Sequence, residues 1–411
     1  MGKTVIEKII SSHSKKSVYA GEMTIIDVDA TMATDATAPI AMKSFKEMGG
    51  EQVVNPESIT LVIDHASPAP NERIANLHQS MRDFAKKQSI RLYDVGEGIC
   101  HQLMVDNHHV QPGEVVLGAD SHTVTYGALG AFATGVGSTD LAGVWLTGQT
   151  WIKVPETIKI EINGQLPEDV SSKDIILHIV GKLGISGATY KAIEFTGTTV
   201  HSMSLSSRMT LANMSIEMGA KAGIVDTENL EWSEPFERVI ADDDAIYDSI
   251  HKIDASILQP QVSVPHSPDH VVNIKDLIGT TIHQGFIGSC TNGKLEDLQT
   301  AARVLEGKKI KKGTRLLIAP ASRKVFHDAM ADGTAQILMN SGATFLTSGC
   351  GPCVGTHMGV PGNGENVISS TNRNFPGRMG NPKANVYLSS PSVVAQTMIH
   401  GEITYDKKGS L

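Results

Sequence analysis

Short apolar runs alternate with amphipathic stretches along the first part of the chain. The run TLVIDH at 60–65 predicts a buried strand, and EVVLGAD at 114–120 predicts another. Between them, Ile74, Leu77 and Met81 recur at the spacing of one helix face, which predicts an amphipathic helix. Buried strands that alternate with helices of this kind are typical of parallel βαβ units. We therefore expect an α/β fold.

The pattern changes in the middle of the chain. TIKIEING at 157–164 alternates apolar and polar residues before an Asn-Gly turn, which predicts a half-exposed strand. Pro155 precedes this strand and predicts a domain boundary, while the Pro-rich stretch at 258–270 predicts a linker. Three domains result, at 1–154, 155–270 and 271–411.

Strands of the last region lead into cysteines. HQGFIGSC at 283–290, LLIAPAS at 316–322 and ATFLTSG at 343–349 each predict a strand. The first of these ends at Cys290, and the third is followed directly by Cys350. Ligands of open parallel sheets bind beyond the carboxyl ends of the strands, so a site is expected at these two residues.

Composition narrows the class of protein. Hydrophobic residues make up 40% of the 411 positions and charged residues 19%, which favours a compact globular chain over a disordered or fibrous one. The formal charge of −9 argues against a nucleic-acid groove, and the short basic run at 307–313 is predicted as a solvated turn. No stretch approaches a membrane span and the first residues lack a signal-peptide core, so we expect a cytoplasmic protein without a membrane partner.

The four cysteines are too few for a disulfide framework, and grouped cysteines in a reducing compartment more often bind metal or act in catalysis. Cys350 and Cys353 form CGPC, and Cys290 lies upstream in GSCTNG. Glycines around all three would let backbone N–H groups approach a bulky inorganic core. A zinc site with His357 as fourth ligand, or a thiol redox pair, also fits the spacing. Cys100, in GEGICHQ, is predicted to be a buried small apolar residue.

A cubane iron–sulfur cluster is a further possibility for a three-cysteine site. Three thiolates could hold three irons and leave the fourth without a protein ligand, whereas electron-transfer clusters normally have every corner ligated. Such an open iron is a Lewis acid. It could bind a substrate hydroxyl and carboxylate, polarise the C–O bond and hold the departing water.

Polar residues fall at predicted strand ends and in a glycine-rich loop. They are Asp64 with His65, the triplet Asp120, Ser121 and His122, and Asn372 with Arg373 and Arg378. An aspartate beside a histidine can orient the imidazole for proton transfer, and two arginines in one loop suit a carboxylate. The same residue types also cap helices after strands, and the arginines could be surface cations. Residue types alone leave these alternatives open.

Four phrases of the sequence resemble the aconitase superfamily and occur in order across nearly the whole chain. They are GADSHT at 118–123, GSCTNG at 288–293, GCGPCVG at 349–355 and TNRNFPGRMG at 371–380. Within the superfamily the chain is most similar to large subunits of two-chain isopropylmalate isomerases, homoaconitases and dimethylmalate dehydratases. The segment 208–223 resembles the family's second-domain segment and contributes Asn213 and Glu217, which would share a face on one helix.

The resemblance implies a role for each motif residue. Cys290, Cys350 and Cys353 would hold a [4Fe–4S] cluster with one iron not ligated by protein. The residues implied for proton handling and water binding, the catalytic set, are Asp64, His65, Asp120, His122 and Glu217. Those implied for binding substrate are Ser121, Asn213, Asn372, Arg373 and Arg378. Thr34 departs from the family, whose members often carry Gln or His near the substrate at this place.

The resemblance also implies an architecture and a partner. The expected fold has three aconitase-like α/β/α domains with the cluster in the cleft between them. Because the chain stops at Leu411, soon after a predicted strand and helix, we expect it to lack the fourth, swivel domain of single-chain aconitases. That domain carries the serine that removes the substrate proton and a further arginine for a carboxylate. A separate small subunit is expected to supply both.

The expected activity is that of a hydro-lyase on a small 2-hydroxy di- or tricarboxylate, which it dehydrates and rehydrates with the positions exchanged. 3-Isopropylmalate is the leading substrate, and homoaconitate and 2,3-dimethylmalate are alternatives. A metal-dependent regulator that binds RNA is argued against by the charge of −9 and by the expected absence of the fourth domain. A purely structural metal protein would leave the Asp-His pairs and the arginine loop without a role.

Overall fold

The computed structural model describes residues 2–405. Residue 1 and residues 406–411 lie outside this part, and with them the end of the third predicted domain and the predicted stop at Leu411. Within residues 2–405, no helix has the length and apolar character needed to cross a membrane. The strands are β1 (Met23–Asp27), β2 (Ala30–Thr34), β3 (Ile59–Val62), β4 (Arg91–Tyr93), β5 (Val115–Gly118), β6 (Phe132–Gly135), β7 (Gln149–Lys153), β8 (Thr157–Asn163), β9 (Ala192–Thr196), β10 (Ala222–Val225), β11 (Ser249–Asp254), β12 (Gln261–Ser263), β13 (Val271–Asn273), β14 (Gln284–Ile287), β15 (Arg315–Ile318), β16 (Thr344–Phe345), β17 (Asn366–Ser369) and β18 (Asn385–Leu388).

The helix predicted around Ile74 is confirmed as the third helix of the chain. It begins where Asn71 caps its first turn, with the Asn71 Oδ1 accepting the N–H of Ile74 at 3.1 Å. The α-helices are α1 (Val5–Ser12), α2 (Ala38–Glu47), α3 (Glu72–Gln88), α4 (Cys100–Asp106), α5 (Ser138–Thr147), α6 (Ser172–Leu183), α7 (Thr198–His201), α8 (Leu205–Met214), α9 (Ser289–Asn292), α10 (Leu295–Leu305), α11 (Arg323–Ala331), α12 (Thr334–Ser341) and α13 (Pro391–His400).

The first sheet is parallel and five-stranded, in the order β4-β3-β2-β5-β6. On one face, Ala33, Leu61 and Leu117 pack against apolar residues of α2, α3 and α5. On the other face, Met32 and Val62 pack against α4. Strands covered on both faces consist of continuous apolar runs, which is why these strands were predictable from the sequence.

The second sheet, β10-β9-β8-β11, is also parallel. Strand β8 buries Ile158, Ile160 and Ile162 in one apolar cluster with α6 and α8. Lys159 and Glu161 alternate with them and are partly exposed, as the alternation in the sequence predicts. Strands β1 and β7 pair separately as a two-stranded antiparallel ribbon.

The third sheet has seven strands in the order β13-β12-β18-β17-β14-β15-β16, of which β18 to β16 are parallel. Strand β12 falls inside 258–270, so the linker predicted there is wrong over these residues. Contacts with distant segments hold it in the sheet, because the N–H of Gln261 donates to the Asp174 Oδ1 at 2.9 Å and Ser263 pairs with Leu388. The boundaries of the three domains remain predictions.

The carboxyl ends of strands from the first and third sheets meet. Asp64 follows β3 and Asp120 follows β5, while Cys290 follows β14 and Asn372 follows β17. The two sheets touch where the N–H of Cys350 donates to the Asp64 carbonyl oxygen at 2.9 Å. Polar residues of both sheets therefore share one cleft, the position in which open parallel sheets bind ligands.

The 3-10 helix Ser121–Leu129 packs closely on β10 at Gly127. A Cβ atom added at Gly127 would lie 1.7 Å from the carbonyl oxygen of Gly223 in that strand. We expect Gly127→Ala to lower the free energy of unfolding by about 1–3 kcal/mol, because the backbone of one segment must shift. Urea or thermal unfolding of the chain measures this loss.

Gly143→Ala is the matched control. An added Cβ at this position in α5 meets no atom within 4 Å, so alanine should raise stability by about 0.5–1 kcal/mol through its better helix propensity. An equal loss of stability in both variants would contradict the packing described for Gly127.

Candidate active site

Three buried cysteines lie where the first and third sheets meet. Cys290 is in α9, and Cys350 and Cys353 lie in the loop after β16, where the N–H of Cys353 donates to the Cys350 carbonyl oxygen at 3.1 Å. Asn372 contacts both segments: its Nδ2 is 3.6 Å from the Cys290 Sγ and its Oδ1 is 3.8 Å from the Cys353 Sγ. The structure therefore brings the three predicted cysteines into one site.

Hydrogen-bond donors are directed at these sulfur atoms. The Asn213 Nδ2 lies 3.2 Å from the Cys290 Sγ, and the Arg378 Nη2 lies 3.6 Å from the Cys353 Sγ. Burial raises the pKa of Cys290 to about 12 and raises the pKa of Cys350 well above the usual range of a thiol. Thiols buried in this way become thiolates when a positively charged group binds them. Together with the donors, they suit a thiolate-bound metal group.

The zinc alternative with His357 as fourth ligand does not match the geometry. The His357 Nε2 donates to the Ser67 carbonyl oxygen at 2.9 Å, and its Nδ1 is 3.2 Å from the Thr356 hydroxyl. Both ring nitrogens are therefore occupied away from the thiols. A different set of ligand atoms, on Asp64, His65 and Cys350, lies within 4.8 Å of one another.

His65 lies between two carboxylates. Its Nδ1 donates to the Asp64 Oδ1 at 2.7 Å, its Nε2 faces the Asp120 Oδ2 at 3.5 Å, and the Cys350 Sγ is 3.8 Å from its Nδ1. Burial lowers the pKa of His65, but a thiolate at Cys350 and the carboxylates of Asp64 and Asp120 raise it, and overall it lies well above the usual range. The two carboxylates therefore favour the protonated form of the imidazole.

Asp35 fixes the loop that carries this histidine, and it was not among the predicted site residues. Its carboxylate accepts the backbone N–H groups of Asp64 at 3.1 Å, of His65 at 2.8 Å and of Ala66 at 2.8 Å. The His78 Nε2 donates to the same carboxylate at 3.3 Å. Asp35 follows β2 in the stretch ATDATAP, and its place at a strand end was the one available signal.

Asp120 accepts hydrogen bonds from several sides. Its Oδ1 accepts the His101 Nε2–H at 2.9 Å and the backbone N–H of His122 at 2.8 Å. Burial raises the pKa of Asp120, but the bonds from His101, His122 and His65 lower it well below its usual range. His101 was not predicted as a site residue, because its partner Asp120 is distant in the sequence rather than adjacent.

Glu217 connects a predicted catalytic histidine with a predicted substrate-binding arginine. Its Oε1 accepts the His122 Nε2–H at 2.9 Å, and its Oε2 accepts the Arg373 Nε–H at 2.9 Å. Burial raises the pKa of Glu217, but His122 and Arg373 lower it overall. Asn213 and Glu217 do not lie on one α-helix as expected: α8 ends at Met214 and Glu217 is in the 3-10 turn Ser215–Met218.

The two arginines keep donors free for an anion. The Nη groups of Arg373 take part in no hydrogen bond among the described residues, because only its Nε bonds Glu217. The Nε of Arg378 is buried and also lacks a partner within residues 2–405. Burial lowers the pKa of Arg378, but negative charge at Cys353 and Cys350 raises it overall. Both guanidinium groups could therefore bind a carboxylate.

Ser121 is exposed and directly follows Asp120. Both residues line a cavity of about 650 Å³ that also touches Thr37, Tyr190 and Lys221. Thr34, where the sequence departs from the family, is fully buried, and its hydroxyl lies 3.3 Å from that of Thr37. Thr34 thus faces the protein interior beside the wall of this cavity.

Cys100 is buried, as predicted, but it is close to the site. It begins α4, and its backbone N–H donates to the Asp64 Oδ2 at 2.8 Å. Burial, together with the neighbouring Asp64 carboxylate, raises the pKa of Cys100 well above its usual range. Its backbone helps to hold the Asp64–His65 loop.

A family model described as Aconitase family (aconitate hydratase) matches residues 7–284 and 276–401 of the chain. The chain is 48% identical to the 3-isopropylmalate dehydratase large subunit 1 of Methanopyrus kandleri, over 98% of this chain and 99% of the relative. It is 47% identical to the protein of that name from Thermotoga maritima, over 98% and 99%. It is also 47% identical to a probable methanogen homoaconitase large subunit of Methanosarcina mazei, over 93% and 100%.

Among solved structures, the chain is similar to the holo-form of Thermococcus kodakaraensis aconitase X, with a TM-score of 0.50, 13% sequence identity and coverage of 90% of this chain and 89% of that chain. With the parallel sheets described above, this likeness confirms the expected aconitase-like α/β fold. The match to the family and the identities to its members agree over nearly the full length. This chain therefore belongs to the aconitase family.

Proposed function

We propose that this chain is the large subunit of a two-subunit hydro-lyase that isomerises 3-isopropylmalate by dehydration and rehydration. One observation carries the proposal: buried thiols, Asp-His groups and two arginines form one connected site in a chain that is 48% identical to a protein named as such a large subunit. Homoaconitate is the second candidate substrate, because a relative named for that activity is 47% identical.

Members of the aconitase family generally bind a [4Fe–4S] cluster, and the three thiols suit one. Cys290, Cys350 and Cys353 would hold three irons, while Cys100 is a buried thiol whose backbone N–H bonds the Asp64 carboxylate. One iron would then have no protein ligand. When bound, the cluster supplies a Lewis acid that assists departure of the substrate hydroxyl.

The arginines are proposed to bind and orient the substrate. A planar guanidinium donates two parallel hydrogen bonds to a carboxylate, and the free donors of Arg373 and Arg378 lie at the same cleft. Negative charge that develops on the substrate as it loses a proton would fall near these fixed cations. Fixed charges of this kind stabilise a transition state without reorganisation.

His65 is proposed to deliver the proton to the leaving hydroxyl. Its Nδ1–H is held by Asp64, whereas its Nε2 is 3.5 Å from Asp120, a separation too long for a strong hydrogen bond. The Nε2 proton is therefore the one that can be transferred. The pair His122 and Glu217, joined at 2.9 Å, would hold the water that results.

The base that removes the carbon-bound proton is assigned to a partner. Relatives of this chain are named large subunits, which implies a separate small subunit. A base must lie within roughly 3 Å of the proton it removes. Asp64, Asp120 and Glu217 each already accept a hydrogen bond from a histidine, so none of them is assigned as this base. The small subunit would also cover the open side near Ser121 and exclude water.

Free cysteines suit a reducing compartment, so we place the enzyme in the cytoplasm.

The cluster assignment predicts metal content. Anaerobically reconstituted chain should be brown and bind about four irons, and it should lose about one iron in air because the unligated corner is labile. Cys290→Ser, Cys350→Ser and Cys353→Ser should each abolish the cluster, since each removes a thiolate. Iron analysis and the visible spectrum measure both effects.

Cys100→Ser is the matched control and should retain the cluster, because the contact of Cys100 with the site is made by its backbone N–H. A colourless protein with one tightly bound zinc would contradict the cluster assignment. Loss of the cluster in the Cys100 variant alone would contradict the choice of ligands.

The arginine assignment predicts a loss of turnover when charge is kept but shape is changed. Assayed with the small subunit present, Arg373→Lys and Arg378→Lys should each lower kcat/KM by about ten- to a hundredfold, because an ammonium cannot replace the two-donor fork. Iron content should stay at the wild-type value. Arg303→Lys, at an exposed position on α10, serves as the control and should leave kcat/KM unchanged. Wild-type kinetics in both site variants would mean that other residues bind the substrate carboxylate.

The split-site proposal predicts where activity resides. The chain alone should bind its cluster but turn over almost no substrate, because the base is missing and water enters the cleft. Anaerobic assays with 3-isopropylmalate, homoaconitate, dimethylmalate and citrate, first with this chain and then with candidate small subunits added in equal amounts, test this. Full activity of the chain alone would refute the proposal. Restored activity on homoaconitate but not 3-isopropylmalate would select the second candidate.

A further inference from the structure

Lys173 is a fully buried lysine at the beginning of α6, two residues after the cap residue Ser171. Two electrostatic effects oppose a cation there. Burial removes the water around the ammonium, and the first turn of a helix carries partial positive charge. Burial accordingly lowers the pKa of Lys173 to about 7. A lysine at this position requires compensation from its surroundings.

The Lys173 ammonium bonds oxygen atoms of two segments that form the active site. Its Nζ donates to the carbonyl oxygens of Ser370 at 2.7 Å and Thr371 at 2.6 Å, and to the Asn292 Oδ1 at 3.3 Å. Three oxygens match the three N–H groups of an ammonium. All three are uncharged, and Lys173 forms no ion pair among residues 2–405. Its hydrogen bonds are satisfied, but its charge is not balanced.

The carboxylates near Lys173 are engaged by other groups. Asp297 accepts the Asn292 Nδ2–H at 2.9 Å and the backbone N–H of Lys294 at 3.0 Å, and the Lys294 ammonium is 3.6 Å from it. Asp174 accepts the N–H of Gln261 at 2.9 Å, and burial raises its pKa to about 6. Neither carboxylate is therefore a dedicated partner of the Lys173 ammonium.

The segments that Lys173 does contact lead to the thiols. Asn292 is two residues after Cys290, and Thr371 directly precedes Asn372, whose side chain lies against the sulfur atoms of Cys290 and Cys353. The ammonium is therefore bonded directly to the two segments that carry Cys290 and Asn372. A cubane core held by three thiolates carries net negative charge. This charge would balance the positive charge of Lys173.

We propose that Lys173 is the buried counter-charge of the thiolate-held cluster and the positioning residue for the loops that carry Cys290 and Asn372. The inference rests on the cluster of the proposed function. A positive charge in a low-dielectric interior favours the more negative, reduced state of the cluster, so Lys173 raises the midpoint potential of its one-electron reduction. It also makes the cluster harder to oxidise.

Electrochemical titration of the full chain with its reconstituted cluster tests the inference, using dithionite as the reductant. Lys173→Met removes the charge with little change in length, and Lys173→Gln removes the charge but keeps a donor for the carbonyl oxygens. Both variants should shift the midpoint potential to more negative values, and both should lose the cluster faster in air. Lys173→Arg keeps the charge and should restore the potential toward that of the wild type.

Lys308→Met is the control for a lost surface charge. Lys308 is exposed in the turn after α10, where water screens its charge, so the potential should not change. Wild-type potentials in the Met and Gln variants would overturn the inference, and so would an equal shift in the Arg variant, which would mark a packing role without charge. A wild-type chain that binds no cluster would instead refute the proposed function.

Discussion

The cleft keeps carboxylates, imidazoles and guanidinium groups largely out of water, so each charge must touch an opposite charge or a donor. Asp120 is held by His101 and His122, Glu217 by His122 and Arg373, and Asp64 by His65. Removal of one partner from a buried pair costs about 3–5 kcal/mol, because the remaining charge is uncompensated. The site loops are therefore restricted to the arrangement in which all these pairs form.

Some of the paired site residues were predictable, because the pattern that marks them lies within a few neighbouring positions of the sequence. Strands buried on both faces consist of apolar runs, and the polar residues that follow them are visible as Asp64 with His65 and as Asp120 with His122. Parallel strands bring such ends together, so the existence of one site followed from the sequence. The family resemblance implied a cleft between domains, but no local pattern in the sequence shows that the first and third sheets meet.

Residues whose partners are backbone groups or distant segments were missed. Asp35 binds three consecutive N–H groups, and every backbone has such groups, so no residue type in the sequence marks its role. His101 and Lys173 have partners far along the chain. The three-residue strand β12 was missed because prolines flank it, although prolines at strand ends do not prevent the few ladder bonds that it makes.

The thiols and the proton-handling groups are parts of one hydrogen-bonded structure rather than neighbouring sites. Asp64 bonds the backbone of Cys350, orients His65 and caps the segment that begins at Cys100. Negative charge on the Cys350 thiolate therefore lies next to the His65 imidazole and helps to keep it protonated. No movement of the chain is needed for this effect. Electrostatic interactions are strongest where water is excluded. Enclosure of the cleft would therefore strengthen the ion pairs and hydrogen bonds that this chain already forms.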